Sequence, residues 1–125
     1  MDEAYLQDLF DTLSDLKIRR LFGGQGIYCG DRIVALVVGG VLHLKSDAES
    51  EPLYETAGLA RWTYTRPGRV PTRMPYYRFP ESALDDPEEA AQWTEIADAA
   101  SRRAAAAPKP RSRRVRRALT DKASA

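Results

Sequence analysis

Residues 19–45 constrain the fold most strongly, because turn-forming pairs divide this segment into short apolar runs. The runs cover 26–29, 33–38 and 41–44, and the pairs between them are Gly30-Asp31 and Gly39-Gly40. Residues that tolerate a positive φ between such runs are the strongest local signal for β-hairpins, since two-residue turns that match the strand twist require them. The segment therefore predicts a three-stranded antiparallel meander, with residues 19–22 starting the sheet ahead of it.

The flanking residues predict helices and two further strands. A first helix is expected over 3–16, with Asp2 as its N-cap, because apolar residues recur at helical spacing: Leu6, Leu9, Phe10, Leu13 and Leu16. A short helix is expected over 49–57, closed by Gly58, and a final helix starts at Pro87 and runs to about Ala104. Strands are expected over 61–65 and 72–79, where Pro71 and Pro75 remove ladder donors and so require an edge strand or a bulge.

These elements predict a two-layer α+β domain over residues 1–107, with an antiparallel sheet of about five to six strands packed by the N- and C-terminal helices. A chain of 125 residues is large enough to bury about two thirds of its unfolded surface, so it can fold without disulfides or metal. The one cysteine, Cys29, cannot form an internal bridge, and no basic start leads into an apolar segment, so we expect a cytoplasmic protein. The small residues of the final helix could also contact a second copy in a homodimer.

Candidate catalytic residues are few. Gly23, Gly24 and Gly26 match neither the dinucleotide fingerprint nor a Walker A loop, and a strand follows where a phosphate loop needs a helix, so we interpret them as a turn or bulge. His43 is the only histidine, and we expect an exposed strand residue rather than a metal ligand or a base. Without a nucleophile–base pair, a metal cluster or a cofactor loop, we expect no enzyme activity, no cofactor and no metal.

Aromatic and arginine residues alternate in the last two predicted strands. The aromatic residues are Trp62, Tyr64, Tyr76, Tyr77 and Phe79, and the arginines are Arg61, Arg66, Arg69, Arg73 and Arg78. Such a mixture is typical of a platform for single-stranded nucleic acid. Neighbouring side chains of a strand point to opposite faces, however, so we favour aromatic residues in the core and solvated arginines at an edge.

The charge is distributed unevenly along the chain. It contains 19 Lys and Arg and 18 Asp and Glu; seven of the basic residues and one acid lie in 108–125, which leaves 12 basic and 17 acidic residues in 1–107. The net charge is therefore −5 for 1–107 and +6 for 108–125. We expect 108–125 to be a disordered basic tail, because it has too few large apolar residues to bury. Its arginines could bind phosphate backbones: Arg111, Arg113, Arg114, Arg116 and Arg117.

Several ordered motifs carry a resemblance to a known family. They are Arg19-Arg20-Leu21-Phe22-Gly23-Gly24-Gln25-Gly26-Ile27-Tyr28, Leu-x-Leu-Lys at 42–45, Ala57-Gly58-Leu59, Tyr64, Met74-Pro75-Tyr76-Tyr77 and Pro80-Glu81. From the first helix to about Ala104, the chain resembles the N-terminal domain of the TfoX/Sxy family, bacterial regulators of natural competence. The family usually has Met where this chain has Leu21, and often has Tyr where it has Gln25.

The resemblance implies a non-enzymatic regulatory domain that acts through a protein partner in transcription, since the competence regulators cooperate with a cAMP-responsive transcription activator. It also implies a family signature that could form a partner surface: Arg19, Arg20, Phe22, Gly23, Gly24 and Gly26. Those regulators carry a second, C-terminal domain where this chain has its basic tail, which favours a general regulatory role over competence itself. The alternative is a non-specific nucleic-acid-binding protein that uses the tail.

Overall fold

The computed structural model describes residues 1–21 and 23–107. The elements of this part of the chain are α1 (Glu3–Leu9), β1 (Leu16–Leu21), β2 (Gly24–Cys29), β3 (Arg32–Val38), β4 (Val41–Lys45), α2 (Glu51–Thr56), β5 (Arg61–Tyr64), β6 (Thr72–Arg78), a 3-10 turn (Glu81–Ala83) and α3 (Pro87–Ala106). The strands form one six-stranded sheet in the order β1-β2-β3-β4-β6-β5, and every neighbouring pair is antiparallel. The predicted α+β fold is confirmed; the domain boundary at residue 107 stays a prediction.

The predicted meander is present as β2, β3 and β4, and β1 precedes it in the sheet. Gly39 and Gly40 join β3 to β4 with φ angles of 57° and 75°. A type I′ turn needs a positive φ at both of its central residues, which only glycine adopts without strain. The local sequence therefore determines this hairpin.

The first helix is much shorter than the predicted 3–16. Helix α1 ends at Leu9, and Leu16 is the first residue of β1. Asp15 adopts a φ of 53°, and its carbonyl oxygen accepts a hydrogen bond from the Gly30 N–H at 2.8 Å, which directs the chain into the sheet. The apolar spacing fitted a longer helix, but residues 16–21 form a ladder with β2 along their whole length, so tertiary pairing prevails over the helical pattern.

The prolines predicted that strand β6 either lies at an edge of the sheet or contains a bulge. Strand β6 is an interior strand, so the edge position is wrong, and the bulge is confirmed. It lies between β4 and the edge strand β5. Its pairing with β5 shifts register between Arg61 and Thr63, opposite Pro75. The Pro75 carbonyl oxygen still accepts from the Ser46 N–H at 2.8 Å. The bulge therefore accommodates a residue that cannot donate to the ladder.

All three helices pack on one face of the sheet, where the core lies. The strand residues of this face are buried with α1 and α3: Ile27, Ala35, Val37, Leu42, Leu44 and Tyr77. Tyr54 of α2 stacks between Tyr77 and Trp93, with ring centroids 4.9 and 5.5 Å apart. Ala97 and Ala100 of α3 are also buried here, so these small residues are not free for a second copy, and the homodimer stays a prediction.

Candidate binding surface

The sheet face opposite the helices is the candidate site, and we call it the open face. Cross-strand pairing places one row of residues on it, from Arg19 through Gly26, Leu36 and His43 to Arg78. Directly opposed residues of antiparallel strands share a face, so this row crosses β1, β2, β3, β4 and β6. The pairs Lys17–Tyr28 and Lys45–Tyr76 lie on the same face.

An aromatic cluster occupies the open face near β5. The Trp62 ring centroid lies 5.9 Å from that of His43, 6.2 Å from that of Tyr76 and 6.4 Å from that of Tyr64. Trp62 therefore extends across β6 to β4 and covers the two inner rings, of which His43 is 8% and Tyr76 7% exposed. Tyr64 is 45% exposed. The outer rings of the cluster thus remain accessible.

Basic side chains lie against these rings. The Arg19 Cζ atom is 5.6 Å from the Tyr28 centroid, the Lys45 Nζ atom 5.2 Å from the Tyr76 centroid and the Arg66 Cζ atom 5.7 Å from the Tyr64 centroid. Attraction between a cation and the negative face of a ring holds each pair together. Burial raises the pKa of Tyr76 to about 12 and lowers the pKa of Lys45 from its ordinary value. The open face therefore combines rings and fixed cations.

His43 is buried beneath Trp62, which corrects the expectation of an exposed residue. Its Nδ1 lies 3.0 Å from the Val41 carbonyl oxygen, which can only accept a hydrogen bond. Burial lowers the pKa of His43 from 6.5, and the Arg78 charge opposes protonation further. The sequence could not show this, because the covering residue comes from β5, about 20 positions later in the chain.

This burial predicts a pH dependence of stability. Below about pH 6.5 the unfolded chain takes up a proton at His43 that the folded chain resists, so the free energy of unfolding falls as the pH falls through this window. Between about pH 7 and pH 5, we expect the free energy of unfolding of His43→Phe to depend less steeply on pH than that of the wild type, since the chain has no other histidine. Urea unfolding of both proteins across this range measures it. An equal slope in the two proteins would show that other groups cause it.

The aromatic residues of the last two strands divide between the two faces of the sheet. Tyr77 and Phe79 are in the core, as expected, whereas Trp62, Tyr64 and Tyr76 lie on the open face. The arginines divide as well, because Arg61 reaches the helix side and pairs with Glu51 at 3.2 Å, while Arg78 lies on the open face. The expectation of aromatic residues in the core is therefore confirmed for Tyr77 and Phe79 only, and the nucleic-acid platform stays a prediction.

The family-signature residues lie at one corner of the sheet, and they do not form a single surface. Arg19 points to the open face, whereas Arg20 pairs with Gln25 on the opposite side. Gly23 has a φ of 78° between β1 and β2, which confirms the predicted turn at this glycine, whereas Gly24 and Gly26 are paired residues of β2. A Cβ on Gly26 would lie 2.6 Å from Leu21 Cδ1 and 2.9 Å from Tyr28 Cε1, so this glycine lets Tyr28 lie on the open face. Phe22 is outside the described residues.

Sequence reasoning missed two contributors to the open face, Lys17 and Tyr28. Strand alternation combined with the register of the two-residue turns could have found them. The tail arginines, Arg111, Arg113, Arg114, Arg116 and Arg117, lie outside the described residues, as does the predicted disorder of the tail. Within the described residues, no cluster of three His, Cys, Asp or Glu side chains could hold a metal ion, and no helix has the length and apolar character to span a membrane.

The family model described as the TfoX N-terminal domain matches residues 8–101. This range includes all six strands and most of α3. No curated protein matches the chain.

Proposed function

The chain belongs to the TfoX N-terminal domain family, and from this membership we propose that it is a non-enzymatic, cytoplasmic interaction domain that acts through a protein partner in transcriptional regulation of the competence type. In this proposal the partner is a transcription activator. The observation that supports a protein partner most directly is the position of β1, which carries the signature arginines at the edge of the sheet.

Strand β1 has a neighbouring strand on one side only among the described residues. Its six residues therefore present a row of backbone N–H and C=O groups that an added strand can pair with. Lys17, Arg19 and Arg20 flank this row and are exposed. Basic residues on an edge strand oppose pairing with strands of other proteins in general, but they attract a strand that carries acidic residues. The proposed contact is thus an acidic segment of the activator paired along β1.

Charge reversal at Arg20 tests this proposal. Arg20→Glu is expected to weaken binding to the purified cAMP-responsive activator of the source bacterium about tenfold, because an acidic segment would meet a like charge. Titration with the labelled activator measures the affinity, and circular dichroism checks that the variant is folded.

Arg73→Glu is the matched control, since Arg73 is an exposed strand arginine near the opposite edge of the sheet. We expect this control to bind within about twofold of the wild type. Equal losses in both variants, or no loss in either, would contradict a contact along β1.

A second candidate function is non-specific nucleic-acid binding through residues 108–125. Its support is the net charge of +6 in the sequence of that segment. Binding through these charges weakens as the salt concentration rises. It involves no base stacking, so it does not select single strands over duplexes in that way.

A further inference from the structure

Charge is segregated between the two layers of the protein. In the described part of the chain, the six strands contain no acidic residue and eight basic ones: Lys17, Arg19, Arg20, Arg32, Lys45, Arg61, Arg73 and Arg78. The acids of the regular elements are in the helical layer, for example Glu51, Glu88, Glu89 and Asp98. A body with a net charge of −5 therefore presents a basic sheet.

The helical layer neutralises two of the basic strand residues on its side of the sheet. Arg32 donates to Asp98 at 2.8 Å, and Arg61 pairs with Glu51 at 3.2 Å. On the open face, Lys17, Arg19 and Lys45 form no ion pair within the described part of the chain, and Arg78 has only a 3.6 Å contact with the exposed Glu81. Positive charge is thus left unbalanced on the face that carries the accessible rings.

The dimensions of this face suit a short polymer rather than a single anion. The row from Arg19 to Arg78 crosses five strands, which corresponds to roughly 19 Å at the usual strand spacing. The rings of Tyr28 and Tyr64 lie beside this row, and each has an arginine against it. A base stacked on Tyr64 or Tyr28 would have its own phosphate near Arg66 or Arg19.

We propose that the open face binds single-stranded nucleic acid, with bases stacked on Tyr28, Trp62 and Tyr64 and phosphates neutralised by Arg19, Lys45 and Arg66. Single strands fit better than a duplex, because paired bases keep their faces stacked on one another and unavailable to side chains. The combination of a basic surface and aromatic rings is the general means by which proteins bind such strands. This activity is separate from the protein partner proposed for β1.

The test uses the full chain and a labelled, mixed-sequence oligonucleotide of about 12 nucleotides, with the same sequence as a duplex for comparison. Tyr64→Ala is expected to weaken single-strand binding at least about fivefold, the low end of a stacking contribution. Arg19→Gln is expected to weaken it about threefold and to reduce the salt slope by about 0.7. Fluorescence anisotropy across a salt series measures both effects.

Two matched controls accompany these variants. Arg20→Gln removes the same charge from the next residue of β1, on the other side of the sheet. Leu53→Ala removes an exposed apolar side chain, 51% exposed, from the helical layer. Both controls are expected to bind within about twofold of the wild type. In a Trp93→Phe background, Trp62 is the only tryptophan, and the single strand should quench its fluorescence.

Each outcome decides the proposal. Loss of affinity in Tyr64→Ala and Arg19→Gln but not in the controls, together with quenching of Trp62, supports it. Equal affinity in all four variants would assign any attraction to residues 108–125 and overturn it. Tighter binding of the duplex than of the single strand, or no binding of either, would also overturn it.

Discussion

Replacement of Gly24 by alanine is expected to lower the free energy of unfolding by about 3 kcal/mol, which is a large part of the stability of a small domain. A Cβ at this position would overlap the carbonyl oxygen of Val37 on β3. Backbone atoms of an interior strand cannot move aside as a flexible side chain can, so β2 and β3 would have to separate locally. Chemical denaturation monitored by circular dichroism measures the loss.

Gly39→Ala is the control for Gly24→Ala, because it lowers the free energy of unfolding for a different reason. Gly39 has a φ of 57°, but a Cβ there would meet no atom within 4 Å. The expected loss is about 1 kcal/mol, from the strain of a left-handed backbone alone. Gly39→Ala should therefore be clearly more stable than Gly24→Ala. If the free energy of unfolding fell by the same small amount in both variants, the close approach of Gly24 to β3 would be wrong.

Tyr54→Ala is expected to cost about 3 to 5 kcal/mol, the range for removal of a large aromatic side chain from a core. The Tyr54 ring is fully buried and stacks on both Tyr77 and Trp93. Its hydroxyl donates to the Lys45 carbonyl oxygen at 3.0 Å. Tyr54→Phe keeps the ring and loses only this bond, so its expected cost is about 1 kcal/mol. Urea unfolding of the two variants separates stacking from hydrogen bonding.

Tyr64→Ala completes the comparison, because Tyr64 belongs to the open face. We expect it to change the free energy of unfolding by less than about 0.5 kcal/mol, as is usual for exposed positions. A cost similar to that of Tyr54→Ala would mean that Tyr64 is a core residue. Such a result would contradict the division of the aromatic residues between the two faces.

The sequence was sufficient for the parts of the fold that depend on local interactions. The meander follows from Gly39-Gly40, whose turn conformation depends on these residues themselves. The end of α1 could not be predicted in this way, because Leu16 fits the apolar stripe of a helix and the alternation of a strand equally well. Its pairing with Cys29 decides between them, and that contact lies outside any local window.

The open face was harder to predict than the fold, since its composition depends on register. The pairing shifts by one residue between Ile27 and Tyr28 and by two residues between Arg61 and Thr63. A one-residue shift changes which neighbours share a face, and turn signals in the sequence do not locate bulges of either kind. The alternation of aromatic residues and arginines therefore indicated a mixed surface, but it could not say which rings remain accessible.

The central claim about the open face is that it binds single-stranded nucleic acid. The most direct measurement is a titration of the isotope-labelled full chain with the single-stranded oligonucleotide, followed by backbone amide chemical shifts. We expect the largest shifts at Lys17, Tyr28, Lys45 and Trp62, with small shifts along α3. Shifts confined to residues 108–125, or centred on the helical layer, would contradict the claim.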